Sequence, residues 1–374
     1  MFENNSQPFR QNILASSHAA LGAEMLCWNH MLVPACYNGD IHPEHLSIRT
    51  KAGLTDMSGI NKVWLSGGEA FEFLNYSVTR NCRKVSPGSA IYTVLLNDSG
   101  HVIDDAIVFH LDEQARAQFD ADWLVCLGAG SGLQYLQKQA KKKEVNIRLD
   151  EGFVCLLLQG PKSCDLLKPL LSLCESELPK RFQHRIANIA GCTVLLSRTS
   201  YSGDDGFEIF VEGNSASQIW SLLLSEEASP VGFDALNIAR VEAGLLFFGR
   251  DMTGGETPTE LGLDFFCECK EHSFKGKAAY LKSKQSPKIK TVGLTIDSPI
   301  CLPADAQLFV DGEVRGIIRS FVKSEWLAKA IAIAHVESKY AIEGQKLVIH
   351  SDSVKIDKNV FASICSRRFF NQLI

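Results

Sequence analysis

Residues 197–210, Ser197-Arg198-Thr199-Ser200-Tyr201-Ser202-Gly203-Asp204-Asp205-Gly206-Phe207-Glu208-Ile209-Phe210, predict a β-hairpin around which the chain can be arranged. Apolar residues run before and after the segment, and the Gly and Asp residues between them supply turn geometry. Tyr201 and Glu208, on opposite arms, would face one pocket, in which a flat ring could stack on the tyrosine and donate hydrogen bonds to the carboxylate. The local pattern by itself favours a simpler interpretation, a surface β-turn.

The composition is that of an ordinary globular protein with two or three domains, because 45% of its 374 residues are hydrophobic and 22% are charged. A net charge of -5 argues against a nucleic-acid partner, since phosphate binding needs a concentrated basic face. The basic run Lys138–Lys143 is interpreted as the solvated end of a helix.

The cysteine spacing predicts reduced thiols and no metal site. Among the 12 cysteines, Cys267 and Cys269 lie closest, and one intervening residue fits neither a zinc knuckle nor a redox pair.

The polar start Met1–Asn5 lacks a basic region followed by an apolar one, and no later run approaches ~18 apolar residues without a charge. We therefore expect a cytoplasmic protein that does not span a membrane.

The order of elements predicts an α+β fold. Alternating or continuous apolar runs predict the strands Lys62–Gly67, Ala90–Leu96, Val102–His110 and Phe153–Leu158. Helical spacing predicts the helices Glu69–Tyr76, Ser163–Leu171 and Asp234–Gly244. Between Lys282 and Ile289, polar residues and Pro replace the apolar pattern, which predicts domains at 1–284 and 285–374. Short alternating strands after this boundary predict a small β-barrel or sandwich.

The pair Asp104-Asp105 stands at the beginning of an apolar strand. Adjacent residues on a strand point to opposite faces, so at most one of the two carboxylates can face a given pocket. Two interpretations remain open at this point. Both residues could cap the preceding turn and face water, or one could be functional, since an unpaired charge is disfavoured inside a strand.

Six strings resemble, in order, the tetrahydrofolate-dependent aminomethyltransferase family, which includes the T-protein of the glycine cleavage system. They are Ala52 to Ser58, Tyr92 to Asp105, Leu157 to Pro161, Tyr201 to Glu208, Arg240 to Leu245 and Phe274 to Lys277. The resemblance implies a folate-binding portion of intertwined α+β subdomains around a central hole, followed by a C-terminal β-barrel.

Carried over by position, the resemblance implies that Asp105 is the catalytic carboxylate beside the folate nitrogens. It likewise implies that Tyr92, Tyr201, Glu208 and Arg240 bind the cofactor tetrahydrofolate. A pterin is a flat ring with N–H donors, so a stacking face and a fixed acceptor suit it.

Three positions depart from the family pattern. Gly59 stands where the family has a histidine, Gly128 where it has an asparagine, and Leu236 where an arginine meets the folate tail. Each change removes a polar contact. The stretches Trp28 to Pro34 and Glu242 to Met252 resemble the dimethylsulfoniopropionate demethylase branch of the family.

Three hypotheses about function follow from the resemblance and its departures. The protein could be an aminomethyl or methylene transferase that acts with a lipoyl carrier protein. It could instead be a folate-dependent demethylase of a small methylated onium or amine, or a folate-binding protein without turnover. The retained Asp105 favours an enzyme, and the missing family histidine at Gly59 favours a small-molecule one-carbon donor.

Overall fold

The computed structural model describes residues 9–141, 143–171, 178–297, 302–303, 305–350 and 360–370. Several features of the sequence analysis fall at least partly outside these residues, among them the polar start Met1–Asn5, Lys142 of the basic run, and Cys174 and Cys301 of the predicted reduced thiols.

The strands are β1 (Ala23–Trp28), β2 (Met31–Tyr37), β3 (Gly53–Asp56), β4 (Asn61–Ser66), β5 (Ser89–Leu96), β6 (Val102–His110), β7 (Trp123–Leu127), β8 (Asn146–Leu149), β9 (Phe153–Gln159), β10 (His184–Ile189), β11 (Cys192–Ser197), β12 (Gly206–Glu212), β13 (Ser229–Pro230), β14 (Ile289–Ile296), β15 (Gln307–Val310), β16 (Glu313–Ser324), β17 (Lys329–Glu337), β18 (Lys346–His350) and β19 (Val360–Cys365). The α-helices are α1 (Ala15–Ala20), α2 (Ile41–Thr50), α3 (Ala70–Ser77), α4 (Glu113–Phe119), α5 (Gly132–Ala140), α6 (Ser163–Leu167), α7 (Gly213–Ser225), α8 (Phe233–Glu242) and α9 (Lys277–Ser283). Short 3-10 helices cover Cys82–Lys84, Lys168–Leu170 and Asp264–Phe266.

Two sheets and a barrel organise these elements. One sheet has the order β5-β6-β7-β4-β8, the other has the order β10-β11-β12-β9-β3-β13, and β1 pairs with β2 as a separate hairpin. The strands from β14 to β19 form a closed barrel in the order β14-β17-β16-β15-β18-β19. The predicted α+β class with a C-terminal barrel is thus confirmed. Because the strands close on themselves, this domain is a barrel and not a sandwich.

An aromatic core joins the two sheets. Phe109 of the first sheet meets Phe210 of the second with ring centroids 5.7 Å apart, and Phe153 stacks on Phe210 at 5.9 Å. All three rings belong to one buried cluster. Because large apolar side chains from both sheets fill this layer, the sheets hold their facing residues at a fixed separation.

The hairpin predicted from residues 197–210 forms, but Tyr201 is not on an arm. Strand β11 ends at Ser197 and β12 begins at Gly206, so Tyr201 lies in the connecting segment 198–205, which we call the Tyr201 loop. Side chains of this loop form hydrogen bonds with each other, for example between Ser200 Oγ and Ser202 Oγ at 3.1 Å. Such local hydrogen bonds compete with strand pairing. The surface-turn interpretation is also wrong, because Ser202 and Asp204 are buried.

The predicted hairpin β5–β6 is present with little change in its bounds. The helix predicted at Ser163–Leu171 is divided instead, since α6 ends at Leu167 and a 3-10 turn follows. Pro169 accounts for this, because proline has no N–H to continue an α-helix. No helix in the described ranges is both long and apolar enough to cross a membrane.

Candidate functional site

A cavity of about 300 Å³ lies between the two sheets. Strands β6 and β7 line one side and β9 and β12 line the other. Irregular segments complete the wall, among them the Tyr201 loop, the chain after α8, which includes Phe247, and the chain after β19. The last segment, Ser366–Phe370, is called the C-terminal strap here; its Arg367 and Arg368 line the cavity.

Asp105 and Tyr92 form the first polar group of the cavity. They stand on neighbouring strands, and the Tyr92 hydroxyl donates to Asp105 Oδ2 at 3.1 Å. Directly paired residues of an antiparallel sheet point to the same face, and Tyr92 pairs with Ile107. Asp105 lies two residues before Ile107 on β6 and therefore points to that face too. The ring of Tyr92 is fixed from behind by Phe266, whose centroid lies 4.8 Å away.

Asp104 points to the opposite side of β6, as strand alternation predicts. Its side chain is inaccessible to solvent, and it accepts hydrogen bonds from the backbone N–H groups of Gly130 at 3.2 Å and Gly132 at 3.0 Å. Asp104 therefore anchors the loop before α5, and neither aspartate caps the turn toward water. Burial raises the pKa of Asp104 to about 8, and the neighbouring charge of Asp105 adds to this.

Tyr201 is held at both ends. Its hydroxyl donates to the carbonyl oxygen of Leu246 at 2.7 Å, and its backbone N–H donates to Gln159 Oε1 at 3.2 Å. These bonds set the position of the ring against the cavity, where it faces the same space as Glu208. The loop that carries Tyr201 is thus fixed although it has no strand ladder.

Glu208 lies on β12, where it pairs with Ser197 on one side and Leu157 on the other. Burial raises its pKa to about 7, and a hydrogen bond from Thr199 opposes the shift. Burial also raises the pKa of Asp105 to about 6, against the hydrogen bond from Tyr92. The cavity therefore presents two carboxyl groups that titrate near neutral pH, a property typical of functional sites.

The structure does not bring Arg240 to the cavity. Its guanidinium is buried and donates all its N–H groups to protein acceptors: Asn237, the carbonyl oxygen of Leu245, Asp251 and Ser320. Ser320 belongs to β16, so Arg240 connects α8 to the barrel. A role in folate binding stays a prediction, and it would have to act through the segment 245–251.

The three departures from the family pattern have structural counterparts. A Cβ at Gly59 would lie 2.6 Å from Cε3 of Trp28, a cavity-lining ring, so a side chain there would displace it. A Cβ at Gly128 would lie 2.7 Å from Asp105 Oδ1, so the present orientation of Asp105 requires glycine. Leu236 is 3% exposed and belongs to the aromatic core cluster.

Sequence reasoning missed two groups that shape the cavity. One is the pair Arg367 and Arg368, which follows the last barrel strand and reaches the cavity only because the chain turns back onto α8. The other is the aromatic pair Trp28 and Phe247, with centroids 5.9 Å apart. The sequence shows that each ring belongs to a hydrophobic run, but it does not show that the two runs lie next to each other in the fold.

No set of three or more His, Cys, Asp or Glu placed to hold a metal ion occurs among the residues that the structure describes. None of the cysteines in the described ranges forms a disulfide. The polar side chains that line the cavity are carboxylates, phenols and arginines, together with Thr199, Ser200 and Cys126.

Comparison with known proteins agrees with this architecture. Residues 14–271 match the GCVT N-terminal domain, and residues 290–371 match the glycine cleavage T-protein C-terminal barrel domain. The crystal structure of glycine cleavage system aminomethyltransferase T from Bartonella henselae has a TM-score of 0.87 and 27% sequence identity, and the match covers 97% of this chain and 98% of that one.

Two relatives represent the similarity in sequence. An aminomethyltransferase from Streptomyces coelicolor is 31% identical over 355 residues, which cover 91% of this chain and 92% of the relative. The heme-dependent oxidative N-demethylase gamma subunit from Ectopseudomonas mendocina is 33% identical over 354 residues, with coverage of 91% and 92%.

The chain belongs to the glycine cleavage T-protein, or aminomethyltransferase, family. The resemblance noted in the sequence is thereby confirmed, and so is the prediction of an enzyme that transfers one-carbon units.

Proposed function

We propose that the cavity binds tetrahydrofolate and that the protein transfers a methylene or methyl group to it from a small amine or onium donor. The observation that carries this proposal is the convergence of Asp105, Tyr92, Tyr201 and Glu208 on one cavity, from two sheets and a loop. An aromatic face and a carboxylate acceptor suit the flat, N–H-bearing pterin, and a second carboxylate suits the reacting centre.

Asp105 would act where the carbon is transferred. When bound, tetrahydrofolate supplies the nitrogens that accept the carbon, N5 of the pterin ring and N10 of the bridge that follows it. With a pKa of about 6, Asp105 is mostly ionised at neutral pH, so it can orient an N–H group and stabilise positive charge that develops on the donor. Tyr92 donates to Oδ2 and fixes the direction of the carboxylate.

Glu208 would hold the pterin by accepting its N–H groups. Because burial gives this carboxyl a pKa of about 7, ligand donors that favour the charged form would lower that pKa on binding. Affinity should therefore rise with pH as Glu208 ionises in the free protein.

The folate tail would meet the C-terminal strap. Leu236 is buried and supplies no charge, but Arg367 and Arg368 line the cavity. Arg367 is steadied by a hydrogen bond from its Nη1 to the carbonyl oxygen of Leu261 at 2.6 Å. Guanidinium groups bind carboxylates well, so these two arginines suit the glutamate end of the cofactor.

Residues 1–284 would then form the folate-binding domain that holds the pterin and the donor, and residues 285–374 the barrel domain, whose last segment would meet the folate tail. Helix α9 ends at Ser283 and β14 begins at Ile289, which supports a boundary in this interval.

The donor would be a small free molecule. Trp28 and Phe247 form an aromatic side of the cavity, and Asp105 provides a negative charge. Aromatic faces and a carboxylate together favour a methylated ammonium or sulfonium group. An aminomethyl group on a lipoyl carrier protein is the competing donor.

A second candidate function is suggested by the similarity to the oxidative N-demethylase gamma subunit. This chain would act as the folate-dependent subunit beside an oxidising partner. Oxidative N-demethylation releases the methyl carbon at the oxidation level of formaldehyde, so the folate product would be 5,10-methylene-tetrahydrofolate.

The test is to incubate the protein with tetrahydrofolate and separate donors, then identify the folate product by mass spectrometry. The donors are methylated ammonium and sulfonium compounds, formaldehyde, and aminomethylated lipoyl protein. We expect 5-methyl-tetrahydrofolate with a methylated onium compound. Acceleration of the formaldehyde reaction would support the second candidate, whereas turnover confined to the lipoyl protein would contradict both.

A further inference from the structure

We propose that Phe370 and Arg49 are positioning residues that join the C-terminal strap to the Tyr201 loop, so that the strap controls binding at the pterin end of the cavity. This inference rests on the proposed function. Neither side chain lines the cavity.

Arg49, on α2, holds the residue that follows Tyr201. Its Nη1 donates to the carbonyl oxygen of Ser202 at 2.9 Å and also bonds Asp204 of the same loop. Its Nε donates to Glu242 Oε2 at 2.8 Å, and its Nη2 donates to the same oxygen at 2.5 Å. The guanidinium is fully buried, so each of these charge-assisted bonds is shielded from water.

The strap is fixed to the same cluster. The backbone N–H groups of Phe369 and Phe370 donate to the carbonyl oxygen of Glu242 at 3.0 and 2.9 Å. The ring of Phe370 lies over the Arg49 guanidinium, with Cζ 4.2 Å from the ring centroid. Glu242 therefore bonds the strap through its main chain and Arg49 through its side chain.

Phe370 also reaches the Tyr201 loop directly. A Cβ built on Gly203 would lie 3.7 Å from Cδ1 of Phe370, so the ring lies beside the turn of the loop. Gly203 has a φ of +84°, a conformation that glycine adopts without strain. The same ring thus contacts the cation that anchors the loop and lies next to the loop itself.

The consequence is a coupling between two ends of the cavity. Removing the ring would take away a cation–π contact and open the Arg49 cluster to water, which weakens its hold on Ser202 and Asp204. Tyr201 is adjacent to Ser202, so its ring would be held less firmly, by its bonds to Leu246 and Gln159 alone. A ligand that touches Tyr201 but not the strap should then bind less tightly.

The experiment uses 6-methyl-tetrahydropterin, which has the reduced ring and no glutamate tail. Its affinity is measured by calorimetry for the full-length protein and for Phe370→Ala, with tetrahydrofolate as the second ligand. We expect Phe370→Ala to bind the tetrahydropterin roughly three- to tenfold more weakly. Phe370→Tyr, which keeps the ring, should retain the affinity of the unmodified protein.

Arg368→Ala is the matched control, because Arg368 belongs to the strap and lines the cavity but makes none of the contacts of Phe370 described above. It should weaken tetrahydrofolate binding and leave tetrahydropterin binding unchanged. Phe370→Leu, with its melting temperature measured, serves if the alanine variant does not fold; it should show the same loss.

Two outcomes separate this inference from the function on which it rests. If the unmodified protein binds tetrahydropterin and Phe370→Ala or Phe370→Leu binds it equally well, the coupling is refuted and the proposed function stands. If the unmodified protein binds neither tetrahydropterin nor tetrahydrofolate, both are refuted.

Discussion

The two sides of the cavity hold their functional side chains by different means. On one side, Asp105 and Tyr92 stand on neighbouring strands, and the hydrogen-bond ladder between β5 and β6 sets their positions. On the other side, Glu208 is on a strand but Tyr201 is in a loop that Arg49 and Gln159 hold by side-chain bonds. We call these the strand side and the loop side.

This difference teaches where each side is vulnerable. On the strand side, a functional group is misplaced only if the register slips, and the ladder and the buried core oppose such a slip. On the loop side, the position of Tyr201 depends on polar groups far away in sequence, such as Arg49 and Gln159. Substitutions outside the cavity should therefore affect the loop side more than the strand side.

The largest expected effect is that of Asp105→Asn on the strand side. Loss of the negative charge beside the reacting centre should lower turnover by roughly 100-fold or more. The folded protein should not be destabilised at pH 8. Folding raises the pKa of this carboxyl to about 6, which destabilises the folded state increasingly as the pH rises from the pKa of the unfolded carboxyl toward 6. The amide has no such cost. Kinetics and thermal melting at pH 8 check both parts.

Asp104→Asn should show the reverse pattern. An amide oxygen can replace only part of the acceptor capacity that Asp104 offers to Gly130 and Gly132. The melting temperature should therefore fall when it is measured at low pH, where the carboxyl is protonated in the folded and the unfolded protein and its pKa, raised to about 8, imposes no cost. Turnover should fall less than in Asp105→Asn. If Asp104→Asn lost as much turnover as Asp105→Asn with unchanged stability, the assignment of the two faces would be wrong.

Next in size is Glu208→Gln on the loop side. The substitution keeps the shape but weakens charge-assisted bonds, so tetrahydrofolate affinity should fall by roughly 1.5–3 kcal/mol. In the unmodified protein, affinity should increase between pH 6 and pH 8, because the Glu208 carboxyl with a pKa of about 7 becomes ionised. The variant should lose most of this pH dependence. Calorimetric titrations at several pH values measure both effects, and an unchanged affinity would refute the role of Glu208.

Tyr201→Phe should have the smallest effect on ligand binding. The ring remains, and only the hydroxyl bond to the carbonyl oxygen of Leu246 is lost, so affinity should weaken by no more than about 1 kcal/mol. Tyr201→Ala provides the comparison, since it also removes the stacking face. Equal affinities in the two variants would show that the ring does not contact the ligand.

The sequence predicted the strand side better than the loop side, for a physical reason. Period-two alternation along 102–110 separates Asp104 from Asp105, and the turn residues between β5 and β6 set their hairpin. Such local signals decide which face a strand residue occupies. The same signals placed Glu208 on a strand, but they put Tyr201 on an arm, because nothing near Tyr201 shows that Arg49 and Gln159 bind its loop.

Long-range contacts were beyond local patterns. Arg240 is charged and lies in a matching string, yet its guanidinium is directed to Asp251 and Ser320, and Ser320 lies 80 positions away. Arg367 and Arg368 reach the cavity only because the barrel returns the chain to α8. Neither arrangement has a periodicity that a sequence pattern could report.

The most direct test of the account is a crystal structure of the protein with tetrahydrofolate bound. The account predicts one molecule in the cavity, with its pterin against Tyr201, its ring N–H groups donated to Glu208, and the nitrogens that accept the carbon on the side of Asp105. The tail should end at Arg367 and Arg368. A pterin bound outside the cavity, or a molecule with its glutamate tail at Glu208, would contradict the account.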